Sequence, residues 1–256
     1  MDEEQIIRAI EAIQWDYEEA LVPESIHYIQ NDDLVMIKNK KSTSVYANKV
    51  VRYHRTIHEV KDVIAYFEGS PLSWWVRSSS DSSELEKHLL TLGFQHYDTY
   101  RGLAKKLTVE EAAISDFTYR EVNTEEDVQA HVEVAAKIWG YDDEAIQAAV
   151  TERASYLQFP ERRGGYTIAL DNNKPVGYSN YRYSKDGKVL YLNGAGVLPE
   201  DRGKGIYRSL LADRLIEARK RGCELAVTQA RLGTSEPILR KSGFREYATY
   251  KQYVRE

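Results

Sequence analysis

The chain has 256 residues, 42% of them hydrophobic and 29% charged, with a formal net charge of −5 and a pI near 5.8. This is enough apolar material for one large domain or two smaller ones, and the acidic balance argues against a nucleic-acid binder while leaving room for a local basic pocket. The single cysteine, Cys223, excludes an intrachain disulfide and a cysteine-rich metal site, the start Met1-Asp2-Glu3-Glu4 is acidic where a signal peptide is basic, and no apolar run approaches the roughly 18 residues that span a bilayer, so a cytoplasmic protein is expected.

In chain order, Ile6, Ile7, Ile10, Ile13 and Tyr17 recur at helical spacing and predict a helix over 3–18. β-branched and aromatic content predicts strands at Leu34–Lys38 and Ser44–Tyr53. A short helix over His58–Phe67 follows, with Ile57, Val60, Ile64 and Phe67 on one face. Leu72–Val76 reads as a strand whose Trp74 and Trp75 must face opposite sides. The serines of 79–83 offer N-caps to a helix ending at Gly93, and strands at Phe94–Tyr100 and Leu103–Leu107 complete this half. The short polar stretch Thr108–Asp116 reads as the boundary, dividing the chain into 1–113 and 114–256.

The second half opens on a strand at Phe117–Val122. Thr124, with Asp127 three residues on, caps a helix to Trp139, and Asp142-Asp143 opens another. Strands are expected at Tyr166–Leu170, Pro175–Tyr183 and Val189–Val197. A helix over Gly205–Arg221 carries the stripe Ile206, Leu210, Leu211, Leu215, Ala218. Glu224–Gln229 is a strand, Ser235–Lys241 a short helix, and Phe244–Val254 a terminal strand pair. One segment repeats: Gly93-Phe94-Gln95-His96-Tyr97-Asp98-Thr99-Tyr100-Arg101 matches Gly243-Phe244-Arg245-Glu246-Tyr247-Ala248-Thr249-Tyr250-Lys251 at an offset of 150 positions. The same order of elements surrounds both copies, which points to duplication and to equivalent places in two similar sheets.

The chemically informative stretch is Leu190 to Arg208, a strand that enters a glycine-rich turn opening a helix. Unpaired N–H groups and the positive end of the dipole make a helix start an anion site. Gly203 and Gly205 permit close backbone approach, and Arg202, Lys204 and Arg208 add positive charge. A Walker A loop is excluded because Lys204 precedes Gly205 and no Ser or Thr follows in place. A dinucleotide fingerprint fails because Pro199 occupies its third glycine.

Val197-Leu198-Pro199 followed by Arg202-Gly203-Lys204-Gly205-Ile206-Tyr207, then a strand, a short helix and Gly243-Phe244, resembles the GCN5-related N-acetyltransferase superfamily over residues 117–256. The N-terminal half looks like a degenerate copy without an R-x-x-G loop, as in tandem members. The resemblance implies a mixed α/β (α+β) fold of two acetyltransferase-like lobes, each a mostly antiparallel sheet flanked by helices. It implies acetyl-CoA as cofactor, held by Gly196, Val197, Leu198, Arg202, Gly203, Lys204, Gly205, Ile206, Tyr207 and Arg208. It also implies N-acetyl transfer to a primary amine of a small molecule, amino acid or peptide. Backbone near Gly196–Leu198 would donate to the oxyanion, and Gly194 and Gly196 suit a bulged strand.

The chain departs from the family at several places. Tyr207 stands where the loop usually ends in Gly or Ala, and its side chain is expected to narrow the space beside the pyrophosphate. The usual tyrosine acid, asparagine and glutamate base fall on Leu239, Leu232 and Val227. The reaction tolerates this, because a thiol of pKa roughly 8.5 can leave as thiolate, and a general acid is useful without being indispensable. Asn193, sharing a strand face with Tyr191, and Ser235, whose simpler role is helix capping, are the candidate catalytic residues. Trp139-Gly140-Tyr141 would border the acceptor site. The six histidines, among them an isolated His131, read as solvated or capping rather than as a metal site. No nucleic-acid or membrane partner is expected, and the state is a monomer or homodimer. The rival reading is a non-catalytic acyl-CoA-binding or structural module.

Overall fold

The computed structural model describes all residues except 43, 68, 81 and 108–116. The connector and the 113/114 division therefore lie outside the described residues. In chain order the principal elements are α1 (Glu3–Ala12), β1 (Ile26–Gln30), β2 (Leu34–Asn39), β3 (Lys49–Tyr53), α2 (Val60–Tyr66), β4 (Leu72–Arg77), α3 (Ser82–Thr91) and β5 (Gln95–Lys106). There follow β6 (Thr118–Glu121), α4 (Glu125–Trp139), α5 (Asp143–Gln158), β7 (Gly164–Asp171), β8 (Lys174–Tyr183), β9 (Val189–Val197), α6 (Ile206–Lys220), β10 (Leu225–Arg231), α7 (Glu236–Lys241) and β11 (Arg245–Arg255). Among the described residues, no helix is long and apolar enough to cross a membrane.

The chain forms two compact units, one of Met1–Ala104 with Gln229–Glu256, the other of Lys105–Thr228. The strand order in the first is β1-β2-β3-β4-β11-β5, antiparallel except for the parallel pair β3–β4. Trp74 lies in the core of this unit, its ring 5.0 Å from Tyr53 and 6.1 Å from Phe94, with Val63 and Phe67 nearby. Trp75 turns to the other face and meets Tyr100 at 4.8 Å, as alternation along a strand requires.

The repeat is realised locally in both copies. Phe94 N–H donates to Leu89 O, and Phe244 N–H to Leu239 O, each at 3.1 Å. Gly93 and Gly243 have φ +85° and +88°, the left-handed conformation that ends a helix at low steric cost. The two copies lie side by side in one sheet, where the sequence pointed to two sheets. β11 inserts between β4 and β5, and Tyr250 pairs with Tyr100, Lys251 with Thr99, and Thr249 with Arg101. Each residue thus faces its own equivalent or a reciprocal partner, the pattern of a local two-fold axis through Tyr100 and Tyr250.

The second unit has the order β10-β9-β8-β7-β6, antiparallel apart from β9–β10. Successive residues of β7 point to opposite faces. Ile168 and Leu170 meet Val128 and Val132 of α4, with Ile146 and Val150 of α5. Ala169 meets Ile206 and Leu210 of α6, with Val176 and Val197. Capping follows the sequence: Asp127 N–H donates to Thr124 Oγ1 at 3.1 Å, the Asp127 carboxylate accepts from Thr124 N–H at 3.3 Å, and Ala145 N–H donates to the Asp142 carboxylate at 2.8 Å.

Candidate active site

The site begins where β9 loses a neighbour. β9 and β10 pair in parallel only from Val189↔Leu225 to Tyr191↔Val227. Immediately beyond, β9 bulges against β8: Tyr181 faces Leu192 and Asn180 faces Gly194, which leaves Asn193 unpaired. Gly194 has φ +145°, a conformation few side chains tolerate. Gly196 is needed for another reason. A Cβ there would lie 2.9 Å from both Ile138 Cδ1 and the Tyr178 ring, so its absence lets α4 close on the sheet.

Past the bulge, Leu198 N–H donates to Val176 O at 2.9 Å. Antiparallel ladders bond alternate residues, so Gly196 also faces β8, while the N–H groups of Ala195 and Val197 point to the open edge. The Val197 carbonyl on that edge accepts from Arg202 Nε at 3.3 Å.

The chain then makes a 3₁₀ turn at Pro199–Asp201, with Gly203 at φ +81° and Gly205 at +88°. A Cβ added at either glycine would meet nothing within 4 Å, so the space beside them is free of protein atoms. The first helical bond of α6 is Ser209 N–H to Gly205 O at 3.1 Å. The N–H groups of Ile206, Tyr207 and Arg208 therefore have no intrahelical acceptor, and no side chain caps the helix. A fifteen-residue helix with an uncapped N-terminus and an open glycine cradle fits a pyrophosphate.

The side chains divide by role. Ile206 anchors the helix start in the core. Tyr207 packs on the same cluster of Ala169, Val176, Val197 and Leu210, so its ring is occupied with the core instead of narrowing the cradle. Its burial raises the hydroxyl pKa. Arg202 and Arg208 are exposed. Lys204 Nζ sits 2.6 Å from Asp201 and 3.9 Å from Asp171, and its hydrogen bond to Asp201 raises its pKa. Its charge is largely answered by the protein itself.

The remaining candidates separate. Asn193 is exposed at the bulge, whereas Tyr191 is buried beneath the Arg182 guanidinium, 5.6 Å from the ring centroid. The bulge thus parts two residues that simple alternation would place together. Ser235 precedes α7 in the first unit, the loop and Asn193 belong to the second, and the Ser235 side chain makes no capping hydrogen bond. Leu239 and Val227 are buried and apolar, and Leu232 is exposed. Trp139 Nε1 donates to Tyr178 Oη at 2.6 Å, which ties the α4–α5 joint to the strand beside Gly196.

His131 is neither solvated nor a cap. It is fully buried on α4, 5.1 Å from both the Tyr166 and Tyr178 rings. Burial, with the Arg153 charge, pushes its pKa down to about 3, against smaller opposing contributions from Ser179 and Asn180. Sequence pattern offered one clue: His131 lies among Val128, Val132, Ala135 and Val134, on an otherwise apolar stretch.

The acetyltransferase (GNAT) family profile matches residues 133–244. No curated protein sequence matches the chain. Among solved structures, a conserved protein of unknown function from Staphylococcus epidermidis ATCC 12228 superposes with TM-score 0.70 at 15% identity, over 92% of this chain and 96% of that one. A GCN5-related N-acetyltransferase from Kribbella flavida gives 0.67 at 19% identity, over 96% and 95%. A tandem GNAT protein from the clavulanic acid biosynthesis pathway gives 0.64 at 12% identity, over 99% and 94%. Residues 133–244 are accordingly similar to the GNAT acetyltransferases, and the chain shares the fold of solved GNAT structures, a tandem GNAT protein among them.

Proposed function

We propose that the chain transfers acetyl from acetyl-CoA to a primary amine, with the cofactor held by residues 196–198 and 202–208. The observation that carries this reading is the uncapped start of α6 following a bulged strand whose Val197 N–H faces an open edge. When bound, acetyl-CoA supplies an acetyl thioester with a thiol as leaving group. Gly203 and Gly205 would let the loop N–H groups reach the pyrophosphate, and Val197 N–H would stabilise negative charge on the transferred carbonyl. Leu198 N–H is already committed to Val176 O, so the donor role falls on Val197. A C–N bond forms as the C–S bond breaks. The amine gives up its proton and the sulfur leaves as thiolate.

No side chain stands ready as a base at the usual position, since Val227 is buried and apolar. Asn193, exposed at the bulge, would orient the amine or the water that takes its proton. Free amine is then the limiting species, so kcat/KM should rise with pH toward the amine's own pKa, near 10.4 for an alkylamine. Ser235 makes no cap, so Ser235→Ala should leave stability nearly unchanged. A loss beyond roughly 100-fold in turnover would give it a direct chemical role.

The lobes 1–113 and 114–256 are proposed as the units of duplication, with the last strand of the second exchanged into the compact body of the first. The protein is proposed to act in the cytoplasm as a monomer or homodimer. Thiol release from acetyl-CoA with a mixed panel of amines tests the activity. Tight coenzyme binding with no release for any amine would support the rival reading of a binding module, which Leu239 and Leu232, in place of the usual tyrosine and asparagine, favour.

A further inference from the structure

Within the second unit, one rung of the sheet leads from the bulge to a group of buried polar atoms that lack partners. Gly194 pairs with Asn180, and Asn180 with Tyr166. The nearest atom to a Cβ built on Gly194 is Asn180 Nδ2, at 3.8 Å, so glycine leaves that amide reachable from the bulge. Asn180 Oδ1 is buried and faces the His131 ring without a well-aligned hydrogen bond. Over Tyr166 lies the Arg153 guanidinium of α5, 5.7 Å from the ring centroid, with Nη1 buried and donating to nothing. Among the described residues no carboxylate pairs with Arg153. His131, fully buried beside the same ring, completes no well-aligned hydrogen bond from either nitrogen.

Buried polar groups in folded proteins find partners, and a guanidinium is the most demanding of them. Three elements here present such groups to one place: an acceptor on β8, a cation on α5, and a neutral imidazole on α4. The Arg153 charge is felt at His131, where it helps hold the ring neutral. A polycationic amine would be repelled by such a floor, and an anionic group would be drawn to it. Neighbouring strands lie roughly 4.8 Å apart, so the rung spans roughly 10 Å from β9 to β7, the length of a small molecule with an amine at one end and an anion at the other.

We propose that the acceptor amine also carries a carboxylate, gripped by Arg153 above the Tyr166 ring, with Asn180 Oδ1 accepting from the amine beside the β9 bulge. This rests on the acetyltransferase reading and narrows its substrate class. Arg153 is a specificity residue that contacts substrate away from the reacting carbon.

The test uses the full chain and matched amines: 6-aminohexanoate against hexylamine, β-alanine against ethylamine, and lysine against cadaverine. The carboxylated member of at least one pair should show tenfold or higher kcat/KM, as a charge-assisted hydrogen bond allows. Arg153→Gln should bring that ratio near one, Arg153→Lys should keep part of it, and neither should change the dissociation constant for acetyl-CoA. Turnover without preference, or preference for cadaverine, overturns the proposal while leaving the acetyltransferase reading intact. If no amine is turned over, calorimetry on the coenzyme A-saturated chain decides. Tighter binding of 6-aminohexanoate than of hexylamine, lost in Arg153→Gln, supports the pocket, and equal or absent binding overturns it. Failure of the wider reading shows separately, as no binding of acetyl-CoA at all.

Discussion

Single residues in the loop carry unequal weight. Lys204 spends its charge on Asp201, whereas Gly205 stands at φ +88° with open space where its Cβ would go. A side chain there clashes with no protein atom. It strains the backbone and fills the cradle. Gly205→Val should therefore weaken acetyl-CoA binding by more than tenfold. Lys204→Ala should cost less than about fivefold, the range of exposed ion pairs. Calorimetry on variants shown to be folded checks this, and the reverse order would make the loop a side-chain clamp. His131 gives a second prediction. Its folded pKa of about 3 lies below its ordinary 6.5, so the unfolded chain takes up a proton that the folded chain refuses. Stability should fall as pH drops below about 6.5, by up to about 1.4 kcal/mol per pH unit, and this contribution should level off near 3. Denaturant melts at several pH values should show this slope in the wild type and its loss in His131→Leu. The loop glycines were readable because their spacing is local. His131 was misread because burial is not local: nothing in one sequence says that Tyr166 and Tyr178 will enclose it.

At the scale of elements, pattern reading located most helices and strands and erred where tertiary contacts override it. α1 stops at Ala12, although Ile13 and Tyr17 continue the helical spacing. β1 at Ile26–Gln30 went unread. Its residues His27, Tyr28 and Ile29 are only partly buried, and its pairing with β2 defines it. Each expected pair of short strands after a Gly-Phe is one long strand, β5 and β11. β5 runs straight through Gly102, which lies between the two strands expected there. A Cβ on Gly102 would lie 2.9 Å from the Tyr250 ring and 3.0 Å from Ile10, so that glycine marks close packing. The repeat makes its own prediction. Gly93 and Gly243 end their helices in the same conformation, with the same Phe-to-Leu bond. Gly93→Ala and Gly243→Ala should each destabilise by about 1 kcal/mol, equally within error, in chemical denaturation. A marked inequality would mean that the two caps are alike in sequence only.

For the whole molecule, the decisive fact is that compact units and linear halves differ. Residues 229–256 pack with 1–104, and β11 separates β4 from β5. Truncation near residue 104 should leave the N-terminal piece unfolded in circular dichroism, because it loses β11, the strand that joins β4 to β5. The R-G-K-G turn occurs once, after β9, and no R-x-x-G loop exists in the N-terminal half. One coenzyme should therefore bind per chain, and titration calorimetry finding two comparable sites would refute that. By itself the sequence determined the mixed α/β class, the glycine turn at the head of α6 and the repeated Gly-Phe segment, because capping, periodicity and turn chemistry act over a few residues. Tertiary structure alone decided the side-by-side pairing of Tyr100 with Tyr250, the turning of Tyr207 into the core, and the meeting of Asn180, Arg153 and His131. Those outcomes depend on which strand sits beside which, and strand order is set by the burial of distant apolar surfaces against one another, beyond the reach of any local pattern.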